Sequence, residues 1–231
     1  MTNRAVVLLS GGLDSCVTLA IAREDGNELY ALTFDYGQKH AKEVESAKKL
    51  AEYYKVKRHM FLRIPLGEIA ESALTTEEVP VPENRSVEEM TLTIPSTYVP
   101  GRNIVLLSYA LSWAETVHAD SIYIGAHTQD YSGYPDCRPE FLKAFQNAAA
   151  LGTRRGAEGR EIELKYPVID MTKAQIVTKG AELKVPFELT WSCYKGGEKA
   201  CGACDSCKFR LTGFRDVGLK DPLEYEVHEH L

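Results

Sequence analysis

The sequence predicts an α/β protein: a doubly wound, mostly parallel sheet with a cysteine-bearing C-terminal segment. Three observations carry that prediction. Short, fully apolar runs of strand length alternate with longer segments of helical apolar spacing. The first run, Ala5-Val6-Val7-Leu8-Leu9, ends in the turn signal Ser10-Gly11-Gly12, as a buried parallel strand does. Polar, glycine-containing loops follow the strand-like runs, and in such sheets ligands bind beyond the carboxyl ends of the strands, where strand order reverses.

The elements follow in order. After the strand over 5–9, Val17, Leu19, Ala20 and Ile21 support a helix from Asp14 to the turn at Asp25-Gly26-Asn27, and 29–34 reads as a second buried strand. Val44, Ala47, Leu50 and Ala51 lie at helical spacing over 42–54, and 59–64 is a third strand. Residues 64–96 hold Pro65, Pro80, Pro82 and Pro95, so they read as a long excursion with one short helix, a lid or binding segment rather than a connector. A helix over 103–118, a strand over 121–125, an irregular stretch over 126–139 and a helix over 140–151 come next. A polar patch over 152–160, a strand over 162–167 and a helix over 173–183 complete the pattern. Residues 1–185 are therefore expected to form one domain, with 186–231 as a metal-binding segment packed on it.

Composition narrows the function. The 231 residues are 44% hydrophobic and 26% charged, ordinary globular values that support a substantial core. With 27 basic and 33 acidic residues the net charge is −6, which argues against a surface that neutralises many phosphates and for a small substrate. No apolar run approaches the ~20 residues of a membrane span, and the opening apolar stretch meets Gly11-Gly12 too soon for a signal peptide. A cytoplasmic location without membrane or direct nucleic-acid partners is expected.

Ser10-Gly11-Gly12-Leu13-Asp14-Ser15 leads from a strand directly into a helix. Glycines let backbone N–H groups approach an anion, Ser10 and Ser15 add hydroxyls, and the helix N-terminus contributes roughly half a positive charge. This is a phosphate cradle, distinct from both the Walker and the dinucleotide-binding glycine patterns. Asp14 is either a helix N-cap or a ligand for Mg²⁺ on a triphosphate.

The loop resembles that of the PP-loop ATP pyrophosphatases, which cleave ATP between the α and β phosphates and transfer AMP to an acceptor oxygen. Phe34-Asp35-Tyr36-Gly37-Gln38-Lys39-His40, Tyr98-Val99-Pro100-Gly101-Arg102-Asn103 and Asp130-Tyr131-Ser132-Gly133-Tyr134-Pro135-Asp136-Cys137-Arg138 resemble one branch of it, the 7-cyano-7-deazaguanine synthase family, in order and over almost the whole chain. The resemblance implies an enzyme, a carbon–nitrogen ligase that makes the nitrile from 7-carboxy-7-deazaguanine, ammonia and ATP. No segment remains for a glutaminase domain, so free ammonia is the expected nitrogen source. The resemblance also makes a homodimer the expected assembly.

The same resemblance implies catalytic roles for Asp14, Ser15, Arg102 and Lys173, the last opening a helix near the β and γ phosphates. It implies nucleotide contacts from Leu9, Ser10, Gly11, Gly12, Leu13, Asp14 and Ser15, with Phe34 and Gly125. Substrate contacts are expected from Tyr36, Gln38 and Arg102, and from Asp130, Tyr131, Tyr134, Asp136 and Arg138. A carboxylate at Asp136 or Asp130 can accept adjacent ring N–H donors while Tyr131 or Tyr134 covers a ring face, although Asp136 also reads as a cap of the helix after Arg138-Pro139. Arg102 and Arg138 suit either the substrate carboxylate or ATP phosphates. His40 and His127 are candidate proton relays or structural histidines.

Cys193-x7-Cys201-x2-Cys204-x2-Cys207 supplies four thiolates with chelating spacing, a pattern that suits tetrahedral Zn²⁺ in a closed, structural site. The spacing also resembles a ferredoxin-type iron–sulfur pattern, and the resemblance to the synthase family favours zinc. Cys16 reads as a buried filler, with a sulfur-carrying role as the alternative because it opens a helix. Two rival functions follow from the same residues: a PP-loop tRNA thiolase, which needs a basic RNA surface, and a non-catalytic nucleotide-binding zinc module.

Overall fold

The computed structural model describes residues 2–39, 42–86, 89, 94–128 and 133–226. Three of the candidate site residues, His40, Asp130 and Tyr131, lie outside the described residues.

Among the described residues, five strands form one sheet: β1 (Arg4–Leu8), β2 (Glu28–Asp35), β3 (Arg58–Arg63), β4 (Ser121–Tyr123) and β5 (Glu163–Lys165). Their order is β3-β2-β1-β4-β5 and every pairing is parallel. The direction of winding reverses between β1 and β4, which places the switch point at the carboxyl end of β1. Among the described residues the helices are α1 (Leu13–Glu24), α2 (Lys42–Tyr53), α3 (Arg102–Thr116), α4 (Pro139–Gly152), the single turn α5 (Arg154–Ala157), α6 (Lys173–Glu182) and α7 (Asp205–Asp216).

The apolar runs are continuous because both faces of the sheet are covered. On β1, Val6 and Leu8 face a cluster with Leu32, Leu107 and Ile122, while Ala5, Val7 and Leu9 face the opposite cluster with Val17, Leu50 and Ile176. Thus α3 and α4 cover one face, and α1, α2 and α6 cover the other. Among the described residues, no helix is long and apolar enough to cross a membrane.

Several expectations change. Helix α1 begins at Leu13 with Gly12 as its N-cap, so Asp14 sits in the first turn and is not the cap. Strands β4 and β5 have three residues each, shorter than expected, because the chain leaves the sheet at Ile124 and Tyr166 to build loops. Helix α7 was not expected. Its buried face at Cys207, Arg210 and Phe214 carries an arginine where an apolar residue would have signalled a helix.

That arginine ties the C-terminal segment together. Arg210 is 1% exposed, and its guanidinium donates to both Asp221 oxygens at 2.7 and 3.0 Å, to Thr190 Oγ1 at 2.6 Å and to the Phe187 carbonyl at 3.2 Å. A charge this deep persists only with such a full set of partners. The segment also joins the sheet domain: Trp191 N–H donates to the Gly11 carbonyl at 2.9 Å, and Phe214 packs in the cluster of Val7 and Val177. The excursion after β3 crosses to the same segment. Asn84 N–H donates to the Ala203 carbonyl at 3.0 Å, and Arg85 pairs with Asp205.

Candidate active site

The carboxyl ends of β1, β2 and β4 open into a cavity of about 290 Å³. Its floor is the loop from Ser10 to Ser15, closed by a ring of hydrogen bonds. Gly12 N–H donates to Ser10 Oγ (3.2 Å), Ser10 Oγ–H to Ser15 Oγ (3.0 Å), and Ser15 Oγ–H to the Gly12 carbonyl (3.0 Å). The N–H groups of the first turn of α1 have no acceptor within the helix, so the rigid loop presents donors to an anion. Gly11 makes the turn possible: its φ is +98°, and a Cβ there would lie 2.0 Å from the Glu43 carbonyl oxygen. Gly125 plays a similar part, since a Cβ would sit 3.0 Å from Asp14 backbone atoms, so the end of β4 can close on the loop.

Lys173 opens α6 behind Thr172, whose hydroxyl and the Gln175 side chain form a capping box. The lysine Nζ lies 2.9 and 3.0 Å from the two Asp14 carboxylate oxygens and 2.9 Å from His127 Nε2, and that nitrogen is 3.2 Å from Asp14 Oδ2. Burial alone would raise the Asp14 pKa, but Lys173 and His127 together hold it well below the usual carboxylate range.

Across the cavity, the Arg102 guanidinium carbon stands 5.8 Å from the ring centres of both Tyr36 and Tyr134, and Nη1 donates to Tyr36 Oη at 3.4 Å. Tyr134 Oη is 2.7 Å from Thr97 Oγ1 and fixes one ring. The arrangement offers a planar, oriented cation between two aromatic groups.

Leu9, Ser10, Gly12, Leu13, Asp14 and Ser15 line the cavity, as do Phe34, Tyr36, Gln38, Arg102, Gly125, Tyr134 and Lys173. Gly11 shapes the loop from behind. Gln38 is engaged with its own turn: Oε1 accepts from Tyr36 N–H at 2.8 Å and Nε2 donates to the Phe34 carbonyl at 3.2 Å.

Two of the expected substrate residues lie outside this lining, and the capping alternative for Asp136 is corrected. Asp136 is buried outside the cavity lining, and its Oδ2 accepts the Asn103 N–H at 2.8 Å, so it secures the start of α3 rather than capping the helix that follows it in sequence. Arg138 is exposed and does not line the cavity, because it is the extended residue that precedes α4. Cys16 is fully buried and burial pushes its thiol up to about 12, which suits a core filler and not a sulfur carrier.

Sequence reasoning missed the cavity wall supplied from distant segments: Glu43, Arg85, Tyr194, Asp205, Phe209 and Arg210. Glu43 had a signal. It precedes Ala47 and Leu50 by four and seven residues, which places an acid on the apolar stripe of α2.

The four sulfurs of Cys193, Cys201, Cys204 and Cys207 are buried and lie within 4.8 Å of one another. A tetrahedron with metal–sulfur bonds of about 2.3 Å has edges of about 3.8 Å, so the donor set fits one thiophilic ion. The Cys201–Cys207 sulfur separation is 4.0 Å. Backbone N–H groups of Cys201 and Cys204 donate to the sulfurs of Cys193 and Cys201, each at 3.3 Å, which stabilises thiolate charge. Gly196 and Gly202 take positive φ values of 66° and 69° where the chain turns back on the cluster.

A family model described as "Queuosine biosynthesis protein QueC" matches residues 4–218. The chain is 52% identical over 220 residues to a 7-cyano-7-deazaguanine synthase of Trichodesmium erythraeum, covering 95% of this chain and 99% of the relative. It is 51% identical over 226 residues to a synthase of the same name from Thermoplasma acidophilum, covering 98% and 93%. The fold is similar to a solved NMN synthetase from Francisella tularensis, with TM-score 0.51 at 15% identity over 95% of this chain and 79% of that one.

Proposed function

The chain belongs to the QueC family of queuosine biosynthesis proteins, and from that premise we propose that it is a carbon–nitrogen ligase converting 7-carboxy-7-deazaguanine, ammonia and ATP into 7-cyano-7-deazaguanine. One observation carries the reading: the anion-binding loop and the Arg102 cation between Tyr36 and Tyr134 open into a single cavity. A nucleotide on the first and a planar aromatic acid at the second would meet there.

A carboxylate attached to the ring is a poor electrophile until an oxygen becomes a leaving group. Arg102 orients that carboxylate, and the loop N–H groups and Lys173 stabilise charge on the departing pyrophosphate as AMP is transferred to the acid oxygen. Ammonia then gives the amide. Losing the amide oxygen needs the same activation again, so one site runs two adenylations. Tyr36 and Tyr134 supply aromatic faces for the ring.

Asp14 would hold Mg²⁺, which is usually bound by one or two carboxylates together with substrate phosphates, and the metal would neutralise phosphate charge. Lys173, now on that carboxylate, would turn to the phosphates. The cysteine cluster would hold one structural Zn²⁺ per chain: sulfurs within 4.8 Å of each other surround a single ion more closely than a multi-iron cluster. The reading extends to a cytoplasmic homodimer, for which light scattering and cell fractionation are the tests.

Synthetic 7-amido-7-deazaguanine with ATP and no ammonia should yield the nitrile and one AMP per product. Failure of the bound amide to react, in enzyme that turns over the acid, would overturn the two-stage scheme.

A further inference from the structure

Glu43 differs from every other charged group that lines the cavity. Asp14 is engaged by Lys173 and His127, Asp205 by Arg85, and Arg210 by Asp221. The Glu43 carboxyl, in the first turn of α2, makes no hydrogen bond or ion pair with any described residue, yet it borders the cavity. It lies beside the phosphate loop, since a Cβ added at Gly12 would be 3.8 Å from Glu43 Oε1. The charged and titratable groups around it are Arg102 on α3, Tyr36 after β2, and Cys193 and Tyr194 in the C-terminal segment.

The reaction needs an acceptor for a proton at this place. Ammonia is overwhelmingly ammonium at neutral pH, and ammonium has no lone pair with which to attack. Arg102 and Lys173 are cations, and Asp14 is held ionised by its partners. We propose that Glu43 is the catalytic base that receives ammonium and takes its proton beside the loop. The inference rests on the acyl-adenylate reading above. The carboxylate takes one N–H proton, and the freed lone pair forms the C–N bond at the acyl carbon. The C–O bond to AMP then breaks, AMP departs with that electron pair, and the second proton leaves on its phosphate oxygen. Burial pushes the Glu43 carboxyl up to about 7, with Arg102 opposing and Cys193 assisting.

Hydroxylamine separates the alternatives, because it is a neutral amine at neutral pH and needs no base to free its lone pair. Wild type, Glu43→Gln and Glu43→Asp are each given the acid and ATP with either ammonium or hydroxylamine. For Glu43→Gln, the ammonium-dependent rate should fall by about 10²–10⁴-fold, the usual share of a general base, while hydroxamate formation falls by a far smaller factor. The lost rate should return as pH rises and free ammonia increases, a profile that a purely structural role would not produce. Glu43→Asp should recover part of the rate at neutral pH. Equal losses with both amines would assign Glu43 to nucleotide binding and overturn the proposal, as would an unchanged ammonium rate. If wild type itself forms no hydroxamate, the acyl-adenylate reading fails whatever Glu43 does.

Discussion

Lys173 Nζ stands 2.9 Å from one carboxylate oxygen of Asp14 and 3.0 Å from the other, and this contact joins the first turn of α1 to the first residue of α6. Two segments 159 positions apart therefore meet at the mouth of the phosphate loop. The pair has consequences for both acid stability and turnover.

Asp14 has a depressed pKa in the folded chain, so its contribution to stability is present in full above the unfolded carboxylate value of about 3.9 and is lost as pH falls toward the folded value. Asp14→Asn should accordingly flatten the fall in melting temperature between about pH 5 and pH 2. It should also lower ATP turnover at neutral pH by about 10²-fold or more, since a neutral amide neither holds Mg²⁺ nor aligns Lys173. An acid melting profile superimposable on that of wild type would refute the first expectation, and unchanged AMP release the second.

Gly11 tests the loop geometry by comparison with Gly101. Both have positive φ, at 98° and 66°, but a Cβ at Gly11 meets backbone at 2.0 Å and one at Gly101 meets nothing within 4 Å. Gly101→Ala should cost about 1–2 kcal/mol from the left-handed backbone alone. Gly11→Ala should cost about 1–3 kcal/mol more, because the Glu43 carbonyl cannot move without shifting α2. Urea unfolding of the two variants measures the difference; equal midpoints would contradict it.

Removing one thiolate from the cysteine cluster should release the metal. Wild type is expected to carry roughly one Zn²⁺ per chain, and Cys204→Ser to lose it and to melt at a lower temperature, because metal binding contributes to folding. Activity should fall in parallel, since Ser192, Tyr194, Asp205 and Arg210 on either side of the cysteines line the cavity. Elemental analysis that found iron with acid-labile sulfide, or no metal in wild type, would reject zinc.

Arg210→Met should destabilise by about 3–5 kcal/mol, the usual consequence of leaving a buried charge without its partner, here Asp221 at 7% exposure. Adding Asp221→Asn should recover part of the loss. Denaturant midpoints of the single and double variants check this, and strictly additive losses would show that the two residues are not coupled.

The strands, the helices over them and the glycine loop after β1 were legible in the sequence because their signals are local. Val6 and Val7 belong to an unbroken apolar run, and Gly11-Gly12 ends it. Asp14 was legible as a residue of that loop for the same reason, but the helix-cap reading of it was not correct: Gly12 takes that position and leaves the carboxylate for Lys173. Asp136 shows the opposite limit. Its neighbours in sequence suggest a cap for the helix that follows, but the chain folds it against Asn103, 33 residues earlier.

The sequence by itself determined a mostly parallel sheet, the loop beyond the first strand and the four cysteines, since apolar periodicity, glycine in turns and Cys-x-x-Cys spacing act over a few residues, while the strand order came from the fold. Only the tertiary structure decided that Arg102 lies close to both Tyr36 and Tyr134, that Arg85 and Asp205, 120 positions apart, close the cavity wall together, and that Glu43 faces the glycine loop. Those contacts depend on how helices cross the sheet and on where the excursion meets the C-terminal segment. Close packing of distant elements sets them, and no spacing along the chain records it.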